Sequence, residues 1–335
     1  MNLETTYLGL VLPSPLVASA GPLTRSVTGI RRLAAAGVGA VVLPSLFEEQ
    51  IRREAERDAA LAEAGSESFG EALSYLPAAT GDGEPLQYLS LIERASTAVK
   101  VPVIASLNGA TTGGWTAYAS SMQSAGAAAL ELNIYYLHGD PLTPARDVEE
   151  RYIEILSAVR AAVTIPIAVK LAPYLSSMGE MATRLQRAGA NGLVLFNRFM
   201  QSDIDPDTLT VTSGLTLSNP VEGVLPRSWI ARLRGTVVPL SLAASTGVES
   251  AHDVAAYLLA GADVVMSTSS LLRHGPEHAV ALLDGLQAWM ARKGFVSLDQ
   301  VRGRLSPGRG ADAAAYGRSS YLATIDEATH TYAPG

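Results

Sequence analysis

Residues 241–275 read SLAASTGVESAHDVAAYLLAGADVVMSTSSLLRHG and are the most informative part of the sequence. It contains two apolar strands, each followed by a loop of Ser, Thr and Gly, with an amphipathic helix between them. Two such loops, one βα unit apart, can direct backbone N–H groups at a single phosphate group. In a (β/α)8 barrel such a site commonly follows strands 7 and 8, so the stretch predicts six earlier strands.

The chain contains six more apolar, β-rich runs upstream of these two strands. All eight runs are nearly continuous rather than alternating, which is typical of parallel strands that are covered on both faces. Helical patterns fill the gaps, and Ala-Gly pairs precede several strands, as expected where a helix ends. The pattern predicts an α/β fold, a TIM barrel, with a doubly wound open sheet as the alternative. The predicted strands are residues 15–20, 40–45, 102–107, 129–134, 166–171, 192–197, 239–245 and 263–269.

Two stretches interrupt this βα rhythm. Residues 46–100 form a long excursion between strands 2 and 3, and begin with a highly charged helical pattern, FEEQIRREAERDAALAEAG. Residues 198–224 contain DIDPDTLTV and the turn TSG, which predict a small hairpin or lid after strand 6. Residues 306–335 are predicted to be irregular. We therefore expect one barrel domain, residues 1–310, and a tail, residues 311–335, packed on the barrel or in an oligomer contact.

Composition excludes several classes of function. A chain of 335 residues with 48% hydrophobic content suits a single large barrel. Its net charge of −7 provides no basic patch, so neither nucleic acid nor an anionic membrane is an expected partner. Without cysteine the chain has no disulfide, thiolate metal site or thiol nucleophile, and we predict no metal site. No signal-like or membrane-spanning segment is evident, which predicts a cytoplasmic protein.

Polar side chains stand where the predicted strands end. In a barrel these ends face the active-site mouth, and here they carry Ser45, Asn133, Lys170 and Asn197. Lys170 is the most informative, because it interrupts the apolar strand IPIAVKLAPY. A buried lysine is costly unless it is paired, which indicates a function; the alternative is a lysine that extends to the edge of the strand.

Two chemistries fit Lys170. It could form a Schiff base, as in an aldolase, or it could stabilise the anionic ring of a reduced flavin. Asn133 and Asn197, each of which alone could be a turn former, would surround this cation with uncharged donors and acceptors. Such a ring of groups suits a planar heterocycle better than a sugar phosphate.

In combination, these motifs resemble the dihydroorotate dehydrogenase family of FMN-dependent TIM barrels. The matching segments, within residues 3–325, are VASAGPLT, LELN, AVKLAPY, LVLFNR, STGV and STSSL. PSLFEEQI and GRLSPGRGADAAAYGRSSYL resemble its dihydroorotate dehydrogenase-like branch. The resemblance implies hydride transfer from a substrate C–H bond to flavin N5. It also implies that FMN is contacted by Ala20, Gly21, Ser45, Asn133, Lys170, Asn197, Ser218, Thr246, Gly247, Thr268 and Ser269. The last four of these residues would hold the phosphate.

The chain departs from this family at the substrate site. The family pattern N-x-S-C-P-N reads NIYYLH here, so Tyr136 occupies the position of the base and His138 replaces an Asn that holds the substrate. The ordinary pKa of a tyrosine is about 10 and that of a histidine is about 6.5, so histidine is more readily available as a base at neutral pH. We therefore expect proton abstraction to depend on His138 at least as much as on Tyr136. The alternative is that Tyr136 packs over the flavin and His138 caps a turn. Dihydroorotate is accordingly expected to be a poor substrate or none.

The sequence thus predicts an FMN-dependent oxidoreductase whose catalytic residues are Lys170, Tyr136 and His138. Its expected partners are a small planar heterocycle as substrate, an electron-acceptor protein and a second copy of the chain in a homodimer. Two alternatives stay open: a Schiff-base aldolase or lyase that uses Lys170, and a non-catalytic flavin or electron-relay subunit.

Overall fold

The computed structural model describes residues 1–66, 83–111, 113, 115–136, 139–198, 202–214, 216–237, 239–307 and 313–332. Eight parallel strands close into a barrel, in which neighbours pair in chain order and the last strand pairs with the first. This confirms the predicted TIM barrel and excludes the open sheet. The strands are β1 (Leu16–Ala18), β2 (Ala40–Phe47), β3 (Val103–Asn108), β4 (Ala129–Asn133), β5 (Ile167–Leu171), β6 (Gly192–Leu195), β7 (Ser241–Ala244) and β8 (Val264–Ser267).

Helices connect the strands and bury their apolar faces against the outside of the barrel. Gly189 and Gly261, with φ of +104° and +118°, follow two of these helices in a conformation that favours glycine, as the Ala-Gly pairs predict. The helices are α1 (Val27–Ala35), α2 (Glu48–Ser66), α3 (Glu84–Ala98), α4 (Thr116–Ser124), α5 (Ala145–Ala162), α6 (Met178–Arg187), α7 (Val224–Arg234), α8 (Ala251–Ala260), α9 (Ser269–His274), α10 (His278–Lys293) and α11 (Ala313–Tyr332).

Alternate side chains of the strands point into the barrel. Toward the amino ends of the strands these are small or branched apolar residues, such as Val17, Ile104 and Ala168, packed in one cluster. The antiparallel strands Thr5–Tyr7 and Leu10–Leu12 contribute to this cluster and close that end of the barrel. Toward the carboxyl ends the inward side chains become polar, so the barrel's open end is where chemistry can occur.

The charged segment after β2 is a helix, α2, as predicted. Residues 67–82, which include FGEALSYLP at 69–77, lie outside the described residues. A hairpin follows β6, also as predicted: Ser202–Asp205 pairs with Thr210–Ser213. Its turn lies at residues 206–209 rather than at TSG.

The carboxylate of Asp205 explains the position of this turn. It accepts hydrogen bonds from the backbone N–H groups of Asp207 and Thr208, which is a turn built by an aspartate on its own following backbone. The sequence DPD, residues 205–207, therefore favours a turn more strongly than TSG does.

The prediction that residues 306–335 are irregular is wrong. Helix α11 occupies Ala313–Tyr332, and its alanines and other helix-forming residues outweigh the single Gly317. Its described side chains are nearly all exposed. The division of the chain at residue 310 stays a prediction.

Within the described part of the chain, helices are too short or too polar to cross a membrane.

Candidate active site

The carboxyl ends of five strands, β1 and β5 to β8, surround a cleft of about 280 Å³. Nine of the residues that the sequence predicts for cofactor binding line it, which are Ala20, Gly21, Lys170, Asn197, Ser218, Thr246, Gly247, Thr268 and Ser269. Arg198 and Thr216 also line the cleft, and sequence reasoning did not single them out. The fold therefore brings together segments that are up to 250 positions apart in the chain.

Lys170 lies inside the barrel, where it is 9% exposed. Its Nζ is 3.5 Å from Oε1 of Glu131, a carboxylate on the neighbouring strand β4 that is itself 1% exposed. This ion pair satisfies the requirement that a buried lysine be paired. Sequence reasoning missed Glu131, although it gives the same signal as Lys170: a lone charge in an apolar strand, ALELNI.

The two predicted asparagines are in direct contact. Asn133 pairs in register with Lys170, and the Asn197 amide Nδ2 donates a hydrogen bond to Oδ1 of Asn133 at 2.6 Å. Both are half-buried. The ends of β4, β5 and β6 thus present one cation and two neutral amides at the mouth of the barrel.

Ser218 joins the two small-residue loops at the other side of the cleft. Its backbone N–H and its hydroxyl both donate to Oγ of Ser269, at 3.0 Å each, and its own oxygen accepts from the N–H of Gly247 at 3.3 Å. Because Ser269 Oγ accepts both bonds, its hydrogen can be donated to a group in the cleft. Thr268 Oγ1 donates to the carbonyl oxygen of Ser19 at 3.1 Å, which fixes the second loop to β1.

The loop after β7 has a backbone that few residues adopt. Thr246 has φ of +81° and Gly247 has φ of +71°, both in the left-handed region. A Cβ at Gly247 would lie 2.6 Å from the backbone N of Gly223, so glycine is required where the lid packs on this loop. Thr246 has a side chain, so a positive φ strains its backbone. Its carbonyl oxygen accepts a 2.6 Å hydrogen bond from the Tyr257 hydroxyl, which holds the strained residue in place.

Arg198 anchors the lid that follows β6. Its guanidinium donates to the carboxylate of Glu222 at 2.8 Å and to the carbonyl oxygen and hydroxyl of Thr216. Partial burial raises the pKa of Glu222, but hydrogen bonds from Arg198 and the Asn219 N–H outweigh it and lower the pKa below its ordinary value. These contacts set the position of Ser218, which lies between Thr216 and Glu222.

Two predicted residues, Ser45 and Tyr136, do not line this cleft. The Ser45 hydroxyl is hydrogen-bonded to that of Ser106 at 2.8 Å and borders a different cleft, since the register of β2 is irregular between Val42 and Ser45. The ring of Tyr136 packs against the guanidinium of Arg151 on α5, 4.4 Å from the ring centre. His138 lies outside the described residues. Across the described residues we find no group of three or more side chains arranged to hold a metal ion.

Comparison with known proteins shows the family to which the chain belongs. A model of the dihydroorotate dehydrogenase family matches residues 2–290. The catalytic subunit of dihydroorotate dehydrogenase B (NAD(+)) from Methanothermobacter thermautotrophicus is 28% identical over 320 residues, 90% of this chain and 97% of that protein. Dihydroorotate dehydrogenase A (fumarate) from Limosilactobacillus reuteri is 30% identical over 211 residues, 60% of this chain and 67% of that protein.

A third relative has a different named substrate. The subunit PreA of an NAD-dependent dihydropyrimidine dehydrogenase from Escherichia coli is 25% identical over 220 residues, 60% of this chain and 52% of that protein. Similarity thus extends across the barrel to proteins that differ in substrate and electron acceptor. Since the family model covers most of its length, the chain belongs to the dihydroorotate dehydrogenase family of oxidoreductases.

Proposed function

We propose that this protein is an FMN-dependent dehydrogenase that removes a hydride from a C–H bond of a small planar heterocycle. The observation that carries the proposal is the cleft itself. Lys170 and the Asn197 amide, which is hydrogen-bonded to Asn133, lie on one side, and the hydroxyl-rich loops of β7 and β8 lie on the other. Relatives named for dihydroorotate and dihydropyrimidine support a heterocyclic substrate and reaction at a CH–CH group.

The residues of the cleft fit FMN. The loops supply the Ser269 hydroxyl, a neutral donor that a phosphate monoester accepts from, and a tight backbone at Gly247. Thr246 and Thr268 line the same loops, and their hydroxyls donate to backbone carbonyl oxygens. Lys170 supplies a fixed positive charge near which the electron-rich edge of a ring can lie. FMN has a group for each of these features: its phosphate would lie at the loops, and its ring would lie beside Lys170.

Bound FMN would supply the hydride acceptor. Lys170 would make a charge-assisted contact with the N1–C2=O edge of the ring, a contact that strengthens as negative charge develops there. Asn133 and Asn197 would present amides to the flavin and the substrate, and Ala20 and Gly21 would let the ring approach the backbone after β1.

The proton that accompanies the hydride needs an acceptor from this chain. By position in the family pattern that acceptor is Tyr136, with His138 two residues further on as the second candidate. The Tyr136 ring packs against the Arg151 guanidinium, a cation that favours the deprotonated form that a base requires. We infer that His138 contributes at least as much as Tyr136, and that dihydroorotate turns over slowly or not at all.

The contact between Lys170 and Glu131 argues against the lyase alternative. A Schiff-base lysine reacts as a neutral amine, whereas Lys170 is paired with a carboxylate, the partner of an ammonium group. The electron-relay alternative shares the cofactor and differs only in lacking substrate turnover.

A visible absorption spectrum of the purified protein, followed by mass spectrometry of the released cofactor, tests the proposal. We expect a flavin spectrum and FMN. FAD, or no flavin after reconstitution with excess FMN, would contradict it. The anaerobic protein is then mixed separately with dihydroorotate and with dihydropyrimidines. Its spectrum shows which compound bleaches the flavin, and bleaching by none of them favours the electron-relay alternative.

A further inference from the structure

Glu131 is a buried carboxylate with one close partner. Its side chain is 2% exposed, and the Lys170 ammonium at 3.5 Å is the cation beside it. Among the described residues, neither of its carboxylate oxygens has a hydrogen-bond partner. Buried carboxylates ordinarily accept several hydrogen bonds in addition to a counter-charge. The charge of Glu131 is therefore compensated mainly by Lys170.

Strand register places the carboxylate deeper in the barrel than the ammonium. Glu131 pairs with Ala168, whereas Lys170, two residues further along β5, pairs with Asn133. Lys170 lines the cleft, and Glu131 does not. Lys170 thus contacts the buried carboxylate and also borders the space in which a ring would bind.

The negative charge of Glu131 acts on other groups in the barrel. Burial, followed by the charges of Glu131 and Asp263, raises the pKa of the Tyr7 hydroxyl. Burial and the charge of Glu131 also raise the pKa of Tyr88, against a hydrogen bond from the Ser106 backbone. The charge of this carboxylate therefore acts on groups other than Lys170.

We propose that Glu131 is a positioning residue for the cofactor, which holds the Lys170 ammonium at the cleft and offsets part of its positive charge. This inference rests on the proposed flavin function. A cation shared with a carboxylate stabilises negative charge on a neighbouring ring less than an unshared cation does. Glu131 thereby lowers the midpoint potential of the bound flavin and makes the reduced flavin a stronger electron donor.

The substitution Glu131→Gln tests the role of the charge. Glutamine has the same length and keeps a polar oxygen beside the ammonium, so the position of Lys170 is kept while the negative charge is removed. Glu149→Gln is the matched control, because Glu149 is also buried and lies 3.8 Å from Arg184, but on α5 outside the barrel. The readouts are the midpoint potential and the affinity for sulfite, a probe that adds negative charge to the flavin.

We expect Glu131→Gln to bind sulfite about tenfold more tightly than the wild type and to have a higher midpoint potential. A tenfold change in a two-electron equilibrium corresponds to about 30 mV. Glu149→Gln should match the wild type in both measurements. Glu131→Asp keeps the charge but withdraws it from Nζ by one methylene, so it should shift both quantities in the same direction by a smaller amount.

A flavin that is bound normally but has unchanged sulfite affinity and potential in Glu131→Gln would overturn the inference, as would a lower potential. If Glu131→Gln does not fold, an unchanged potential in Glu131→Asp overturns it instead. Failure of the wild-type protein to bind FMN is a separate result, which refutes the proposed function and the inference with it.

Discussion

Lys170 and Glu131 are two opposite charges buried inside the barrel. Removing one partner of a buried ion pair leaves an uncompensated charge, which typically costs about 3–5 kcal/mol of stability. Lys170 therefore has a structural role in addition to the one proposed for it at the flavin. A substitution at this residue should show both effects, and the partner residue allows them to be separated.

We expect Lys170→Ala to slow flavin reduction by a factor of about 10²–10³, or about 2.7–4 kcal/mol, the usual cost of one lost contact to developing negative charge. It should also lower the free energy of unfolding, because Glu131 loses its counter-charge. Stopped-flow absorbance measures the first effect and denaturant titration the second.

The double variant Lys170→Ala, Glu131→Gln should recover most of the lost stability while flavin reduction stays slow. If Lys170→Ala binds FMN and keeps the wild-type rate of reduction, Lys170 has no role in the chemistry.

At the scale of elements, three segments meet around Ser218: the lid, the loop after β7 and the loop before α9. Gly247 is where the lid and the first loop come closest, since a Cβ there would lie 2.6 Å from the Gly223 nitrogen. Gly9, in the turn of the amino-terminal hairpin, has a similar φ of +79° but no atom within 4 Å of such a Cβ. A substitution at Gly9 is therefore a matched control for the same substitution at Gly247.

We expect Gly247→Ala to weaken FMN binding by at least about tenfold and to lower the melting temperature more than Gly9→Ala does. Both substitutions carry the cost of a positive φ, about 1–2 kcal/mol, but only Gly247→Ala displaces the lid. Flavin fluorescence titration measures the affinity. Equal effects of the two substitutions would show that the lid does not shape the cofactor site.

The contact between Arg198 and Glu222 gives the lid a dependence on pH. Because the pKa of Glu222 is lowered on folding, its contribution to stability is complete above the ordinary value of 4.5 and is lost as the pH falls through the lowered value. We expect the FMN affinity of the wild type to weaken in this acid range, and Glu222→Gln to lose that part of the pH dependence.

Glu277→Gln is the control for this experiment. Glu277 also has a lowered pKa, caused first by its hydrogen bond from Arg32, but both residues are exposed and lie apart from the cleft. Its substitution should leave the acid dependence of FMN affinity as in the wild type. If both variants lose the same part of the acid dependence of FMN affinity, that dependence comes from general destabilisation of the fold.

At the scale of the whole molecule, helix α11 presents apolar side chains to solvent. Tyr321, Leu322 and Ile325 are all exposed, and covering such surface is favourable by about 25 cal/mol per Å². We expect deletion of residues 311–335 to convert a dimer into a monomer and to leave FMN binding intact. Analytical ultracentrifugation of both proteins measures this; an unchanged mass would place the dimer contact elsewhere or exclude it.

The barrel could be predicted from local sequence. Eight apolar runs predict the eight strands because strands buried on both faces need side chains without polar groups, and this requirement acts on each strand separately. The Ala-Gly pairs predict where helices end for an equally local reason, the φ of one residue. A lysine in an apolar strand likewise indicates a functional position before any partner is known.

The contacts between distant side chains could not be predicted in this way. Glu131 partners Lys170 because β4 and β5 are adjacent in a given register, and Ser218 joins two loops that follow it by about 30 and 50 residues. Ser45 borders a different cleft because an irregular register in β2 redirects it. These contacts depend on how separate strands are aligned in space, and the physical forces that align them act between segments rather than along the chain.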